Sequence, residues 1–311
     1  MRFPLRASAV PVIALALSAS AQRSIFFYQT ERSVLEREVH DIPQTDAARF
    51  LRLRSLFEQS DCRGERMEEQ MVRERHGQGG RNLICVWPGN STDTIVIAAH
   101  YQLPGKGEGA LDDWSGAVLL PVLYAAIQAQ ARDHTFVFLE NWGMGGAKAY
   151  LDALTRDQKR NIRAMIDLDG LGMGETKYYS ITSLHTGAGA PEWRLQQTLV
   201  LSAQAGSLRE QPTPANPQYW LRSDDSYPFR LQSIPTIFIH SVAENQFTVP
   251  ASARDTAAAI STNAYFQSAK LLCIYLIELD ALADDLEAAD AVWEKHRRTQ
   301  FSPPERKPPS R

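Results

Sequence analysis

The run Ile95-Val96-Ile97-Ala98-Ala99-His100 constrains this chain more than any other stretch. An unbroken apolar, largely β-branched segment of this length reads as a strand buried on both faces, which belongs near the centre of a parallel sheet. It ends in a histidine, and a glycine-rich loop leads on to Gly109-Ala110-Leu111-Asp112-Asp113-Trp114-Ser115-Gly116 at the start of a helix. Two later runs end in carboxylates in the same way: Phe136-Val137-Phe138-Leu139-Glu140 and Ala164-Met165-Ile166-Asp167-Leu168-Asp169. If these strands are parallel neighbours, His100, Asp112, Glu140 and Asp169 meet at one carboxyl edge. That edge is where open α/β sheets hold ligands and catalytic groups.

The rest of the chain fits around that sheet. Apolar residues at Ala47, Phe50, Leu51, Leu53 and Leu56 predict a helix over 46–59, with Asp46 as its N-cap. Extended runs over 66–73 and 82–87, flanking His76-Gly77-Gln78-Gly79-Gly80, predict an antiparallel hairpin. A helix over 115–130 is expected to kink at Pro121. Further helices are expected from Gly146 and from Pro191, and strands over 178–184 and 234–239, the last ending at His240. A long final helix is expected from Arg254 to Lys295. Strands alternating with helices predict an α/β fold with a mixed, mostly parallel central sheet flanked by helices.

The 311 residues suffice for one full core, and the net charge of −3 carries no basic stripe, so nucleic acid is not an expected partner. Arg2 and Arg6, the short apolar core from Ala7 to Leu17 and Ala19-Ser20-Ala21 have the form of a secretory signal over residues 1–21. Its apolar core is too short for a bilayer of ~30 Å, so no stable membrane span is expected after cleavage. Residues 22–297 then form a single domain, and 298–311 a Pro-rich basic tail. Export permits a disulfide among Cys62, Cys85 and Cys273, with Cys62–Cys85 the first pair to test. Equally, Cys85 in an apolar strand and Cys273 on an apolar helix face read as small hydrophobes. The absence of any Cys-x-x-Cys spacing excludes thiolate zinc sites.

Histidine with several carboxylates is the ligand set of zinc and related divalent ions. We read His100, Asp112 and Asp169 as ligands and Glu140 as a general base that takes a proton from water. Each residue alone has an ordinary explanation. A strand-end histidine often bonds a loop, and Asp112 or Asp113 can cap the following helix, which is the preferred reading for Asp113. Of Asp167 and Asp169, at most one is expected at the site. The combination is harder to explain away, because all four fall at strand ends.

These segments, with Asn82-Leu83-Ile84, Ala99-His100-Tyr101, Glu140-Asn141-Trp142-Gly143-Met144-Gly145-Gly146 and Arg222-Ser223-Asp224 with Pro228-Phe229, resemble the zinc aminopeptidases of metallopeptidase family twenty-eight. That family includes secreted bacterial leucyl aminopeptidases, with glutaminyl cyclases and transferrin-receptor-like proteins among its relatives. The resemblance implies a phosphorylase-like α/β fold with two zinc ions. One is held at positions matching His100, Asp112 and Asp169. The other shares Asp112 and adds a glutamate and a late histidine, and the general base immediately precedes that glutamate.

The chain departs from this pattern at three places. The ligand glutamate is Asn141, whose neutral carbonyl adds no charge to hold a dication. The late histidine before Asp255-Thr256 is missing, and His240 or His185 are the substitutes to consider. The aspartate that orients the first histidine is Gln102, which can still accept a bond from the imidazole. One zinc ion is therefore expected and the second is doubtful. Two functions follow: an exported metallo-exopeptidase-like hydrolase of aminopeptidase type, acting on a peptide or small aminoacyl substrate, or a catalytically inactive homologue serving as a binding module. A glutaminyl cyclisation enzyme is disfavoured, since those relatives keep the glutamate and late histidine. Trp142, Tyr219, Trp220 and Tyr227 are the aromatic residues available to line a pocket. Oligomeric state leaves no signal in the sequence.

Overall fold

A computed structural model describes residues 27, 29–73, 79–180, 190–216 and 224–282. The leader-like segment, the hairpin turn 74–78, His185, Tyr219, Trp220, Arg222, Ser223 and the C-terminal tail lie outside the described residues.

Two helices, α1 (Arg32–His40) and α2 (Asp46–Gln59), precede the hairpin of β1 (Met67–Met71) and β2 (Arg81–Trp87). Then follow β3 (Thr94–His100), a wide irregular turn over Ala110–Trp114, and the helical pieces α3 (Ser115–Ala117) and α4 (Leu120–Ile127). Next are β4 (Thr135–Asn141), α5 (Gly143–Ala153), α6 (Arg156–Asn161), β5 (Ile162–Leu168) and β6 (Lys177–Tyr179). The described chain ends with α7 (Ala190–Ala205), β7 (Thr213–Pro214), α8 (Tyr227–Leu231), β8 (Thr236–His240) and α9 (Thr262–Leu282).

The strands form one eight-stranded sheet in the order β1-β2-β4-β3-β5-β8-β6-β7. The central strands β4, β3, β5 and β8 are mutually parallel, and the antiparallel pairs lie towards the two sides. This is the mixed, mostly parallel sheet expected from the alternation of strands and helices. Four adjacent parallel strands bring their carboxyl ends together, which places His100, Asn141, Asp169 and His240 along one edge.

Strand alternation divides the core into two layers. Ile95, Ile97, Ala99, Phe136, Phe138, Ala164, Ile166 and Ile237 pack against α2, α4, α7 and α9 on one face. Val96, Ala98, Val137, Leu139 and Met165 face Tyr150 and Leu151 of α5 and Phe229 of α8 on the other. Burying both faces explains why these strands carry no polar–apolar alternation.

Several boundaries differ from the sequence expectation. The cap of α2 is Thr45, whose hydroxyl accepts from Ala48 N at 3.1 Å, and Asp46 instead accepts from Leu103 N at 2.7 Å. Pro121 marks a kink, as expected: α3 stops at Ala117, Val118 and Leu119 keep right-handed helical dihedrals in an irregular turn, and proline sits in the first turn of α4, where its missing N–H costs nothing. The final helix begins at Thr262, not Arg254, because Asp255 is drawn into the site loop and Ala257–Ala259 forms a single tight turn. Ala110–Ile127 is apolar and long enough to pass for a membrane span, but 83% of it is buried in the protein. Cys62 and Cys85 are joined by a disulfide, both fully buried, and Cys273 is a buried thiol on α9. The bond ties the loop after α2 to the centre of β2.

Candidate metal and catalytic site

The site is built from strand ends and the loops that fold over them. His100 closes β3, and its imidazole is held from two sides. Nε2 lies 2.8 Å from Asp112 Oδ1, and Nδ1 lies 3.3 Å from Asp225 Oδ2. Burial opposes a charge on this ring, but Asp225 and Asp112 together outweigh it and hold the imidazole well above its ordinary pKa. Asp112 answers in kind: burial pushes its carboxyl up, the His100 contact pulls it down further, and the net shift is downward.

Asp112 reaches this position because its loop is anchored at several points. Asp255 accepts from Leu111 N at 2.7 Å, from Asp112 N at 3.3 Å and from Ala251 N at 3.1 Å. The Asp112–Asp113 peptide is cis. Asp113 turns inward and accepts from Gly116 N at 2.9 Å, the capping role expected for it.

Asp225 belongs to a loop pinned beneath the sheet edge. Asp224 accepts from Arg230 Nη1 at 2.7 Å and from Ser226 Oγ at 2.6 Å, and Asp167 accepts from Ser226 N at 3.0 Å. Of the two aspartates on β5 and just after it, Asp167 is thus spent on this loop. Asp169 is buried, its Oδ1 has no hydrogen-bond partner, and burial raises its pKa well above the usual carboxylate range. The charges of His100, Asp112, Asp225 and Asp255 all reach it.

Glu140 and Asn141 are consecutive on β4 and therefore face opposite ways. Glu140 follows Phe136 and Phe138 into the layer under α4 and α9, is fully buried, and has no partner on either carboxylate oxygen. Burial pushes its pKa well up, and His100 offsets this only in part. The Asn141 amide donates to Gly143 O at 2.8 Å, and its Oδ1 is buried without a partner. Trp142, the next residue, packs its ring 5.7 Å from Tyr101, an ordinary core contact.

His240 ends β8 beside the site but among rings: Tyr179, Phe238 and Phe247 surround it at 6.4, 5.7 and 6.0 Å. Burial, with nearby Lys177, lowers its pKa to about 3 and keeps it neutral. Among the described residues, no carboxylate contributes to that shift, unlike at His100.

Gln102 does not orient His100, contrary to expectation, since carboxylates face both ring nitrogens. Asp225, from a different loop, faces the Nδ1 side as an ion-pair contact. Sequence reading also passed over Arg49 of α2, fully buried, with a pKa lowered by burial to about 10 and its charge felt by Asp46, Asp113, Asp255 and Asp112.

Among the described residues, no three His, Cys, Asp or Glu side chains are gathered closely enough to hold an ion as they stand. The donor chemistry for one ion is nevertheless present: an imidazole, the Asp112 carboxylate and the buried, unpartnered Oδ1 of Asp169. Several buried carboxylates around one imidazole leave an excess of negative charge that a divalent cation would neutralise. The second position fits no ion, because Asn141 is neutral and His240 sits among rings.

Comparison with known proteins gives the family and the fold. The model of Peptidase family M28 matches residues 82–276. A vacuolar membrane protease of Eremothecium gossypii is 29% identical over 127 residues, which span 39% of this chain and 12% of that protein. The zinc aminopeptidase BSAP from Bacillus subtilis superposes with a TM-score of 0.55 at 16% identity, over 65% of this chain and 51% of its own. The LapA aminopeptidase of Legionella pneumophila gives 0.59 at 16% identity, over 80% and 70% of the two chains. A glutaminyl cyclase from Macrostomum lignano gives 0.65 at 17% identity, over 80% and 89%. At such identities the structural likeness is one of fold, and the chain spans about half the length of the Bacillus aminopeptidase. The family match, by contrast, covers more than half of this chain and takes in β2 through most of α9 together with His100, Asp112, Glu140, Asp169 and Asp225: the chain belongs to peptidase family M28.

Proposed function

We propose that the protein is an exported hydrolase of aminopeptidase type, acting at the N-terminus of a peptide or small aminoacyl substrate. In this reading one zinc ion is held by His100, Asp112 and Asp169, and Glu140 is the general base. The observation that carries it is the imidazole of His100 set between two carboxylates, with its charge also reaching the buried Asp169, whose Oδ1 has no partner. When bound, zinc supplies Lewis acidity to the scissile carbonyl and acidifies water. Glu140 takes a proton from the water that attacks the carbonyl and returns it to the amine as the C–N bond breaks. A buried carboxyl with a raised pKa suits that exchange near neutral pH. Export is supported by the signal-like N-terminus and by the Cys62–Cys85 disulfide, which needs an oxidising compartment.

The binding-module reading has its own support in the neutral Asn141 amide and the lack of three gathered ligands among the described residues. Metal analysis of the purified protein separates the two. About one zinc per chain is expected, abolished by His100→Ala or Asp169→Ala. A natively folded protein that takes up no metal sinks the hydrolase reading and leaves the binding module. With metal present, Glu140→Gln is expected to cut turnover of aminoacyl substrates by at least ~100-fold without changing metal content. Unaltered turnover removes Glu140 as the base.

A further inference from the structure

The N-terminal helices lie outside the family match, yet one of their side chains reaches into the site. Arg49 is fully buried, and an arginine is almost never so without partners for its whole fork. Here the partners are backbone carbonyls. Nε donates to Pro43 O at 3.1 Å, Nη1 to Tyr101 O at 3.2 Å, and Nη2 to both Glu108 O and Gly109 O, the latter at 3.2 Å. The Trp114 ring lies 5.5 Å from the guanidinium carbon.

The position of those carbonyls is what matters. Tyr101 directly follows His100, and Gly109 stands three residues before Asp112. The loop 101–109 makes up most of the covalent link, 101–111, between the two residues whose side chains meet at 2.8 Å. A planar guanidinium with donors on three nitrogens can span the two ends of such a loop, while a lysine offers one nitrogen and cannot.

We propose that Arg49 is a positioning residue: by bridging the two ends of the loop 101–109 it fixes the spacing between His100 and Asp112. It touches neither substrate nor ion. The loop has other moorings, through Asp46 to Leu103 N and through Asp255 to Leu111 N, so removing the fork should loosen the spacing without detaching the loop. The consequence for zinc rests on the function proposed above, whereas the spacing itself does not.

The test uses the full chain with Arg49→Lys and Arg49→Met, and with Asp46→Ala as a control that cuts the tie to Leu103 and removes a nearby charge but leaves every hydrogen bond of the Arg49 fork in place. Three quantities are read: the His100 imidazole 15N resonances of metal-free protein, assigned by their loss in His100→Gln; the zinc dissociation constant by chelator competition; and thermal unfolding. Both Arg49 variants are expected to fold, to shift the His100 resonances, and to weaken zinc binding by ~10–100-fold, the range for losing a group that orients a ligand. Asp46→Ala is expected to change neither resonances nor affinity. Unchanged resonances and affinity in the folded Arg49 variants overturn the proposal. An equal effect of Asp46→Ala also overturns it, by assigning the spacing to the docking of α2 as a whole. Loss of the fold in both Arg49 variants overturns it too, leaving Arg49 a core stabiliser. If the wild-type protein takes up no zinc, the proposed function fails alone, and the resonances still decide the role of Arg49.

Discussion

Asp225 Oδ2 lies 3.3 Å from His100 Nδ1, so a carboxylate from the loop before α8 faces the imidazole that closes β3. A carboxylate at the far ring nitrogen fixes the tautomer and raises the basicity of the nitrogen that faces a ligand. We expect Asp225→Asn to weaken zinc binding by ~10–100-fold, while Gln102→Ala leaves it unchanged. Chelator competition measures both, and equal effects would return the orienting role to Gln102.

The metal-free protein should lose stability as pH rises. His100 binds its proton more tightly folded than unfolded, so its contribution is complete below the ordinary imidazole value of ~6.5 and disappears as pH rises through the raised folded value. Glu140 and Asp169 are raised by burial, so each also costs stability once pH exceeds the ordinary carboxylate value of ~4. Asp112 acts oppositely, since its depressed pKa adds stability that is lost only as pH falls through that low value. Unfolding temperature should therefore fall from mildly acidic to mildly alkaline pH, less steeply in Glu140→Gln. A flat or rising profile would refute the assignment.

Reduction of Cys62–Cys85, or replacement of both by serine, removes a cross-link between residues 23 apart in sequence. Chain entropy predicts a loss of about 3 kcal/mol for a loop of this size. At ~2–4 °C per kcal/mol for a domain of this length, the unfolding temperature should fall by roughly 6–12 °C. Differential scanning calorimetry with and without reductant reads it directly.

Asp255 accepts three backbone N–H groups, from Leu111, Asp112 and Ala251. Alanine there leaves buried donors unpaired, so Asp255→Ala should cost about 3 kcal/mol and lower metal content as well. Asp255→Asn, which keeps one acceptor, should restore part of both. An Asp255→Ala variant with normal metal content would detach this loop from the ion site.

The strands were legible because burial on both faces writes an unbroken apolar run, and β3, β4, β5 and β8 stand close to where those runs lie. The start of α9 was not. The residues from Arg254 to Ala259 have no helix breaker among them, and that stretch is held out of the helix by tertiary bonds: Leu111 N, Asp112 N and Ala251 N donate to the Asp255 carboxylate, and Ala257 N donates to Glu108. The kink at Pro121 was legible, because a proline ring and its missing N–H act locally.

By itself the sequence determined the sheet, its carboxyl edge and the residues His100, Asp112, Glu140 and Asp169 that stand there or near it, since each follows from local hydrophobic pattern and strand direction. Only the tertiary structure decided which of them meet. It put Asp112 and Asp225 on the two nitrogens of His100 and turned Glu140 into the opposite layer from Asn141. It also brought Arg49 from outside the family match to the loop between His100 and Asp112. These contacts join residues far apart in the chain. Their partners are often backbone carbonyls and amides, which every residue carries and no sequence pattern can mark.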